Sequence, residues 1–485
     1  MSPALAFPAV DLGALLPALV VVGTAGVVLL LDLLPPRDSK DHLGAIALAG
    51  VVGALIVTVW LWGRGVETRA FRDMVVLDAF ALFFAVVISY AAGLALLISI
   101  DYIRRHTAQA GEYYALVLFA TTGMLLLASA NDLIVVFLAL ELMSLSLYVL
   151  AGFFTARLAS SEASMKYFLL GAFASGFFLY GIALLYGATG STSLDRIAVA
   201  AADRSPLVLI GLGLLIVGFG FKISAVPFHM WAPDVYEGAP TSVTAFIATG
   251  SKAGAFAALI RVLVVGLGAL RADWSALFWA LAVLTMTLGN VVALAQTNLK
   301  RMLAYSSIAH VGYMLVGLVA GGPAGAGAVL FYLLAYTFTT AGAFGVIALS
   351  QRMGEEAVDV GDYAGLARRH PVLAAALALF LLSLIGIPPL AGFVAKVYLF
   401  GSAVRAGFVW LAVIAVLNSA VAAYYYLRVI VYMYMREGEG AGADYAPSFA
   451  GGMALAIALA GVVGLGLLPA PFADLAQAAV APLLR

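Results

Sequence analysis

Three lysines, Lys222, Lys252 and Lys396, lie inside long apolar stretches of this 485-residue sequence rather than at the ends of those stretches. A charged lysine at the centre of a membrane-spanning helix costs roughly 2.5 to 3.5 kcal/mol on insertion scales, so it indicates a polar interior or a function. The alternative is that each lysine extends its stem to the nearest lipid headgroups. Both explanations remain open at this point, and the first predicts proton or ion movement inside the membrane.

One acidic residue has a matching position. Glu141 stands near the middle of the apolar stretch NDLIVVFLALELMSLSLYVL, with Ser144 one helical turn later on the same face. A carboxylate and an ammonium that are both removed from water compete for one proton, so a coupled pair can exchange it near neutral pH. A static buried ion pair that fixes helix packing is the alternative.

The composition explains where these residues must lie. Hydrophobic residues make up 64% of the chain, charged residues 10%, and the mean hydropathy is +1.09, whereas ordinary soluble domains carry about 25% charged residues. The chain is therefore expected to be an integral membrane protein. Its 25 basic and 25 acidic residues balance, which argues against nucleic-acid binding and against a polybasic lipid anchor.

The sequence contains no cysteine and only five scattered histidines. This excludes disulfides, thiol catalysis and iron–sulfur clusters held by thiolates, and the histidines form no motif of metal-ligand spacing. We therefore expect no cofactor and no metal in this chain.

A helix that crosses the hydrocarbon core needs about 20 mostly apolar residues. The sequence predicts fourteen such spans and hence an all-α integral membrane protein. The predicted centres are Val22, Val52, Val87, Phe119, Leu138, Ala174, Leu214, Ala253, Thr285, Leu315, Leu334, Leu379, Val416 and Ile457.

Two of the predicted spans are interrupted. In GFGFKISAVPFHMWAPDVYEGAP three prolines interrupt the seventh span just after Lys222, and in LSLIGIPPLAGFVAKVYLF a glycine and two prolines interrupt the twelfth just before Lys396. Proline removes a backbone donor, which is tolerated at membrane depth only where protein or water satisfies the freed groups. Interruptions at corresponding positions are typical of inverted repeats. We expect two inverted five-helix repeats, spans 4 to 8 and spans 9 to 13, with helices 7 and 12 broken.

This pattern predicts four parts of the chain. They are a three-helix segment over residues 1–110, a first repeat over 111–268, a second over 269–438 and a C-terminal transmembrane helix over 439–485.

Orientation follows from the basic residues in the connections. The odd-numbered connections carry thirteen Lys and Arg, including Arg104, Lys300 and Arg368, whereas the opposite side carries nine, including Arg64 and Arg261. Cytoplasmic connections carry the basic excess. Both termini are therefore expected outside the cytoplasm.

The strings PFHMWAPDVYEGAPTSV, NLKRMLAYSSIAHVGYML and GIPPLAGFVAKVYLF resemble the antiporter-like membrane subunits of respiratory complex I, the proton-pumping NADH:quinone oxidoreductase, and the resemblance covers spans 4 to 13. It implies that Glu141 and Lys222 form a proton-loading pair, that Lys252 is the central relay and that Lys396 is the terminal donor or acceptor. His310 matches a relay position more loosely, and a packed, hydrogen-bonded histidine is the alternative.

The resemblance also implies a function and partners. Protons would cross through the buried Glu/Lys relay, driven by quinone reduction elsewhere in the complex, and this chain would hold no redox centre. The expected partners are other membrane subunits, especially another antiporter-like subunit and a small multi-helix subunit, within the lipid bilayer of a bacterial inner membrane. Nothing after Pro469 is expected to form the long lateral helix of the family's largest member.

Two other functions compete with this one. A subunit of a multi-subunit sodium/proton antiporter would share the spans, the broken helices and the lysines, but the PDVYEGAP string favours the complex I subunit. A purely structural scaffold is disfavoured because it would not need three lysines at membrane depth.

Overall fold

The computed structural model describes residues 11–34, 40–106, 110–352, 355–437 and 442–484. Helices dominate these residues, because backbone groups surrounded by lipid must bond to one another. The first helices are α1 (Leu16–Asp32), α2 (Asp41–Gly63), α3 (Ala79–His106), α4 (Ala110–Ser129), α5 (Leu133–Ala151), α6 (Leu158–Thr189), α7 (Leu194–Ala200), α8 (Pro206–Ile223), α9 (Trp231–Gly238), α10 (Thr241–Phe246) and α11 (Lys252–Arg261). The remaining helices are α12 (Arg271–Leu294), α13 (Leu299–Ala320), α14 (Gly322–Ala348), α15 (Leu366–Arg369), α16 (Pro371–Ile385), α17 (Ala391–Arg405), α18 (Val409–Met435), α19 (Phe449–Leu467) and α20 (Pro469–Val480).

Shorter helical turns join or extend these helices. The 3₁₀ turns are Leu12–Leu15, Ala201–Asp203, Gly268–Leu270, Val360–Tyr363 and Ala481–Leu484, and the π-helical segments are Ile247–Ser251 and Val262–Gly266. The two π-helical segments flank α11, so α10 and α11 form one continuous span, Thr241–Gly266.

Thirteen helices of the described residues are long and apolar enough to cross a membrane. Every predicted span centre lies in a helix, and the twelfth lies in α16, which at 15 residues is too short to be one of the thirteen. The all-α integral membrane fold is therefore confirmed. The count of fourteen, the two inverted repeats and the fourfold division of the chain remain predictions.

The spans differ in how much of their surface other helices cover. The most apolar part of the span is 100% buried in Thr241–Gly266, 94% in Leu299–Ala320 and 100% in Gly322–Ala348. In Leu158–Thr189 it is only 33% buried. The first three spans therefore form the inner layer of the bundle, and α6 belongs to the outer layer. Polar side chains on the inner helices face protein rather than lipid.

Within the described residues, five short strands lie in connections between spans and were not predicted. They are β1 (Thr68–Ala70), β2 (Val75–Leu77), β3 (Ser350–Arg352), β4 (Glu355–Glu356) and β5 (Asp444–Tyr445). β1 pairs with β2, and β3 pairs antiparallel with both β4 and β5. In this register Gln351 lies opposite Glu356, which fixes the position of that acidic residue within the connection between α14 and α15.

Both predicted helix breaks are present. Ser224 directly follows α8 and Gly386 directly follows α16, and both have a left-handed conformation, with φ of 64° and 92° respectively. Each break also contains one cis peptide bond before a proline. A Cβ atom at Gly386 would lie 3.0 Å from Cδ of Lys396, so glycine serves both the turn and the close approach of the lysine.

Candidate functional site

The three lysines of the apolar stretches are buried in the protein. Lys222, Lys252 and Lys396 are 2%, 1% and 5% exposed. None of them extends to the membrane surface, so the alternative that their stems reach the headgroups is wrong. Among the described residues none of the three forms an ion pair within 4.0 Å, and each ammonium instead donates to neutral oxygen atoms.

Lys222 lies at the last turn of α8 and contacts two hydroxyl groups. Its Nζ donates to Ser144 Oγ at 2.8 Å and to the Tyr167 hydroxyl at 3.1 Å. Glu141 accepts a hydrogen bond from Ser175 instead. The structure therefore brings Glu141 and Lys222 to neighbouring positions through Ser144, one turn along α5 from Glu141, rather than into a direct ion pair.

Lys252 begins α11 directly after the π-helical segment Ile247–Ser251. Such widened turns occur frequently at functional sites. Its Nζ donates to the backbone carbonyl oxygen of Ser307 at 3.0 Å and also to the Ser307 hydroxyl. That hydroxyl accepts a 2.7 Å hydrogen bond from Tyr336 and lies 3.3 Å from the hydroxyl of Tyr236. Ser307 is thus the point where Lys252 meets two tyrosines.

His310 lies one turn beyond Ser307 on α13 and is 3% exposed. Its Nδ1 is 2.7 Å from the Tyr332 hydroxyl, and its Nε2 is 3.2 Å from the Tyr426 hydroxyl. A relay and a packed, hydrogen-bonded histidine both require such partners, so the relay role remains a prediction.

Lys396 lies in α17 and caps the C-terminal end of α16, at the break in the twelfth predicted span. Its Nζ donates to the carbonyl oxygens of Leu384 at 2.9 Å and Ile385 at 2.8 Å, and to Ser419 Oγ at 2.7 Å. The last carbonyls of a helix lack partners within the helix and carry partial negative charge. The break therefore supplies the groups that hold an ammonium without a carboxylate.

A row of side chains leads from Lys396 back to the histidine. Its ammonium lies 5.1 Å from the ring centre of Tyr313, whose hydroxyl accepts from Asn290 at 2.9 Å. Asn290 accepts from the Tyr425 hydroxyl at 3.0 Å, and the rings of Tyr425 and Tyr426 are 4.4 Å apart. Sequence reasoning missed these groups, because a tyrosine in an apolar stretch does not reveal where its hydroxyl points.

A second buried cluster was also missed. The count of basic residues in the connections placed Lys300 in a connection, which is wrong, since Lys300 lies in the first turn of α13 and is 1% exposed. Its Nζ donates to the Ala239 carbonyl at 2.8 Å and lies 3.5 Å from Glu356 Oε2. Glu356 also accepts from Thr241 Oγ1 at 3.0 Å and from the Tyr102 hydroxyl. The cluster closes the bundle where α3, α10 and α13 meet.

One member of this cluster, Lys300, could have been found from the sequence. It lies seven residues before Ser307 and ten before His310, a spacing that places the three side chains on one face of a helix. Glu356 gives no such signal, because it lies in a strand of two residues.

Glu356 lies outside the spanning segments, and its charge depends on its neighbours. Burial alone would raise the pKa of this carboxyl group. Lys300, Tyr102 and Arg157 together lower the pKa by more than burial raises it, so it lies below the ordinary value of a glutamate. The carboxyl group is therefore ionised at neutral pH.

Arg261 was also placed in a connection, and this too is wrong. It forms a buried bidentate pair with Asp78, at 2.8 and 2.9 Å. Asp78 in addition accepts from the Ala81 amide at the start of α3. Arginine does not release its proton in proteins, so this pair anchors α11 to α3. Among the described residues no three His, Asp or Glu side chains lie close enough together to hold a metal ion.

Comparison with known proteins places this geometry in context. The model of the family described as NADH:quinone oxidoreductase/Mrp antiporter, TM, matches residues 130–422. The chain is 50% identical to NADH-quinone oxidoreductase subunit N of Trichlorobacter lovleyi, with 98% of each chain covered. It is 38% identical to a chain of respiratory complex I from Thermus thermophilus, with 95% of this chain and 99% of that chain covered and a TM-score of 0.81. It is also similar to a chain of the Mrp complex from a Dietzia species, at 25% identity, 98% coverage of both chains and a TM-score of 0.86.

Proposed function

The chain belongs to the family of membrane subunits shared by NADH:quinone oxidoreductases and Mrp antiporters, and on that premise we propose that it is a proton-translocating membrane subunit of NADH:quinone oxidoreductase. The relatives that it matches over nearly its whole length are NADH-quinone oxidoreductase subunits at 42% to 50% identity. The Mrp chain matches the same fold at only 25% identity. The sodium/proton antiporter therefore remains the second candidate.

The observation that carries the proposal is the environment of the buried lysines. Each ammonium donates to hydroxyl or carbonyl oxygens, and no carboxylate of the described residues is in contact with it. Burying a charge without an opposite charge costs several kcal/mol of free energy. Burying a neutral amine costs much less. A lysine in such surroundings gains and loses a proton readily, as a relay requires.

The proposed path uses the residues in the order that the family resemblance implies. Lys222, with Glu141 beside it, loads the proton, and Lys252 receives it as the central relay. His310 joins Lys252 to the tyrosine and asparagine row, and Lys396 exchanges the proton with the far side. Ser307 supports this order, because its backbone and hydroxyl bind Lys252 one turn before His310.

The remaining details of the proposal follow from the family and the composition. Electrons move elsewhere in the complex, and this chain holds no redox centre and no cofactor of its own. It packs against another antiporter-like subunit and a small multi-helix subunit in a bacterial inner membrane. Both termini lie outside the cytoplasm.

The test uses the assembled complex in proteoliposomes, with protons translocated per NADH oxidised as the measurement. Lys252→Met keeps an unbranched stem but cannot carry a proton, so proton translocation should fall. Lys166→Met is the matched control, because Lys166 is 41% exposed and forms surface pairs with Glu162 and Asp234. Full translocation by an assembled Lys252→Met complex would overturn the proposal.

A further inference from the structure

We propose that Glu356 and Lys300 form the gate through which protons enter the buried relay, at the face of the bundle that carries the odd-numbered connections. This inference rests on the proposed function and adds an entry point to it. Neither residue belongs to the relay described above.

The cluster lies where five segments meet at one face. Five segments supply its side chains: Tyr102 lies in the last turns of α3, Arg157 precedes α6, Thr241 begins α10, Lys300 lies in the first turn of α13 and Glu356 lies in β4. Each of these positions adjoins an odd-numbered connection. Glu356 contacts the other four, with hydrogen bonds or charge contacts to each.

Glu356 connects an exposed group to a buried one. Its Oε2 is 3.9 Å from the guanidinium of Arg157, whose side chain is 40% exposed, and 3.5 Å from the ammonium of Lys300, whose side chain is 1% exposed. The side chain of Glu356 itself is 9% exposed. One carboxylate therefore lies between the solvent side and the interior, which is the position that a gate requires.

The contacts of this pair are long for a structural ion pair. The Arg261–Asp78 anchor has distances of 2.8 and 2.9 Å, whereas Lys300 lies 3.5 Å from Glu356. Hydrogen bonds weaken at such lengths. The Lys300 ammonium is bound more closely by the Ala239 carbonyl, at 2.8 Å, so the carboxylate can change its protonation state without releasing the lysine.

The route inward follows α13. Ser307 lies seven residues after Lys300, roughly 10 Å along the helix axis, and it binds Lys252 directly. The hydroxyl of Tyr236, three residues before the Ala239 carbonyl that holds Lys300, is 3.3 Å from Ser307 Oγ. Two helices thus lead from the gate to the same serine.

The proton balance of one cycle is simple. The Lys300 ammonium gives one proton to the neutral amine of Lys252, along the route that ends at Ser307; one N–H bond breaks on Lys300, one forms on Lys252, and Lys300 is left as a neutral amine. The Glu356 carboxylate then takes one proton from a hydronium ion in the water at this face, which leaves a neutral water molecule and forms a carboxylic acid. This O–H bond breaks as the proton passes to the Lys300 amine, which restores the ion pair after one proton has entered and one has moved inward.

The first test is Glu356→Gln in the assembled complex, with protons translocated per NADH oxidised as the measurement. We expect a loss as large as that of Lys252→Met, because an amide cannot carry the proton. Glu355→Gln is the matched control, since Glu355 is the exposed neighbour in the same strand, and it should translocate normally. If Lys252→Met translocates normally, the proposed function fails; if only Glu356→Gln does so, the gate alone fails.

The second test separates a gate from a structural pair. Lys300→Arg keeps the positive charge and the hydrogen-bond donors but cannot release a proton near neutral pH. A gate predicts loss of translocation in an assembled Lys300→Arg complex, whereas a structural pair predicts full translocation, which would overturn the proposal. This variant decides the question even if Glu356→Gln fails to assemble.

Discussion

The ammonium of Lys396 lies 2.8 Å from the carbonyl oxygen of Ile385, the last residue of helix α16. A cation at a helix C-terminus is stabilised by the partial negative charge of the unpaired carbonyls. Those carbonyls also accept hydrogen bonds from a neutral amine. The break in the twelfth span can therefore hold this lysine in both protonation states, which a carboxylate partner would not do.

The first prediction concerns this lysine. Lys396→Arg keeps the charge but cannot release a proton near neutral pH, so proton translocation by the assembled complex should fall nearly as far as in Lys396→Ala. Translocation per NADH oxidised is the measurement. If the arginine variant translocates normally, Lys396 is a fixed charge that caps α16, and the proton must leave through another residue.

The second prediction concerns Glu141 and Lys222, whose ammonium donates to Ser144, one turn along α5 from Glu141. Glu141→Gln keeps the shape of the side chain and its contact with Ser175 but removes the charge, so translocation should fall while the subunit stays inserted. Lys222→Ala should behave similarly. In the double variant the losses should be less than additive, with a coupling of about 0.5 to 3 kcal/mol. Glu162→Gln, at an exposed position on α6, is the control, and additive losses would show that the two residues act separately.

The third prediction concerns the Arg261–Asp78 pair as a static anchor. Asp78→Asn leaves a buried guanidinium without its partner, which costs about 3 to 5 kcal/mol. The assembled complex should therefore dissociate at lower temperature. Adding Arg261→Gln should restore part of this stability, because the unpaired charge is removed. Translocation per assembled complex should remain unchanged in both variants; a specific loss of translocation would instead place the pair in the proton path.

The fourth prediction concerns orientation. The sequence has no cysteine, so a single introduced cysteine is the only labelled thiol of this subunit. Arg104→Cys and Arg368→Cys, at exposed positions, should react with an impermeant thiol reagent only from the cytoplasm. Arg204→Cys, on the face where both termini are expected, should react only from outside. The reverse accessibility would invert the direction of the proposed path.

The sequence by itself determined the class of the protein, the positions of its apolar helices and the two breaks. Hydropathy and proline content are properties of each stretch alone, so they do not depend on what the stretch contacts. The three buried lysines could be found in the same way. The free-energy cost of a charged lysine in an apolar stretch can be inferred from the sequence before any partner is known.

Only the tertiary structure decided which groups meet. Lys300 and Glu356 are 56 residues apart and come together because β4 pairs back onto β3 and the Val358 carbonyl, two residues after Glu356, accepts a hydrogen bond from the Leu299 amide at the start of α13. Lys300 and Arg261 stand near the ends of apolar stretches, where a sequence cannot distinguish a loop residue from a buried one. The packing of the neighbouring helices shows that both side chains are buried.

The inner helices show the physical reason most clearly. The span Gly322–Ala348 is buried along its whole apolar window, so it has no polar face whose period would reveal its orientation. Tyr336 on this span donates to Ser307, and Ser307 binds Lys252; both contacts depend on how three almost fully covered helices pack. Side-chain direction in such a core is set by neighbours distant in the sequence, and this is why the relay's connections could not be predicted although its lysines could.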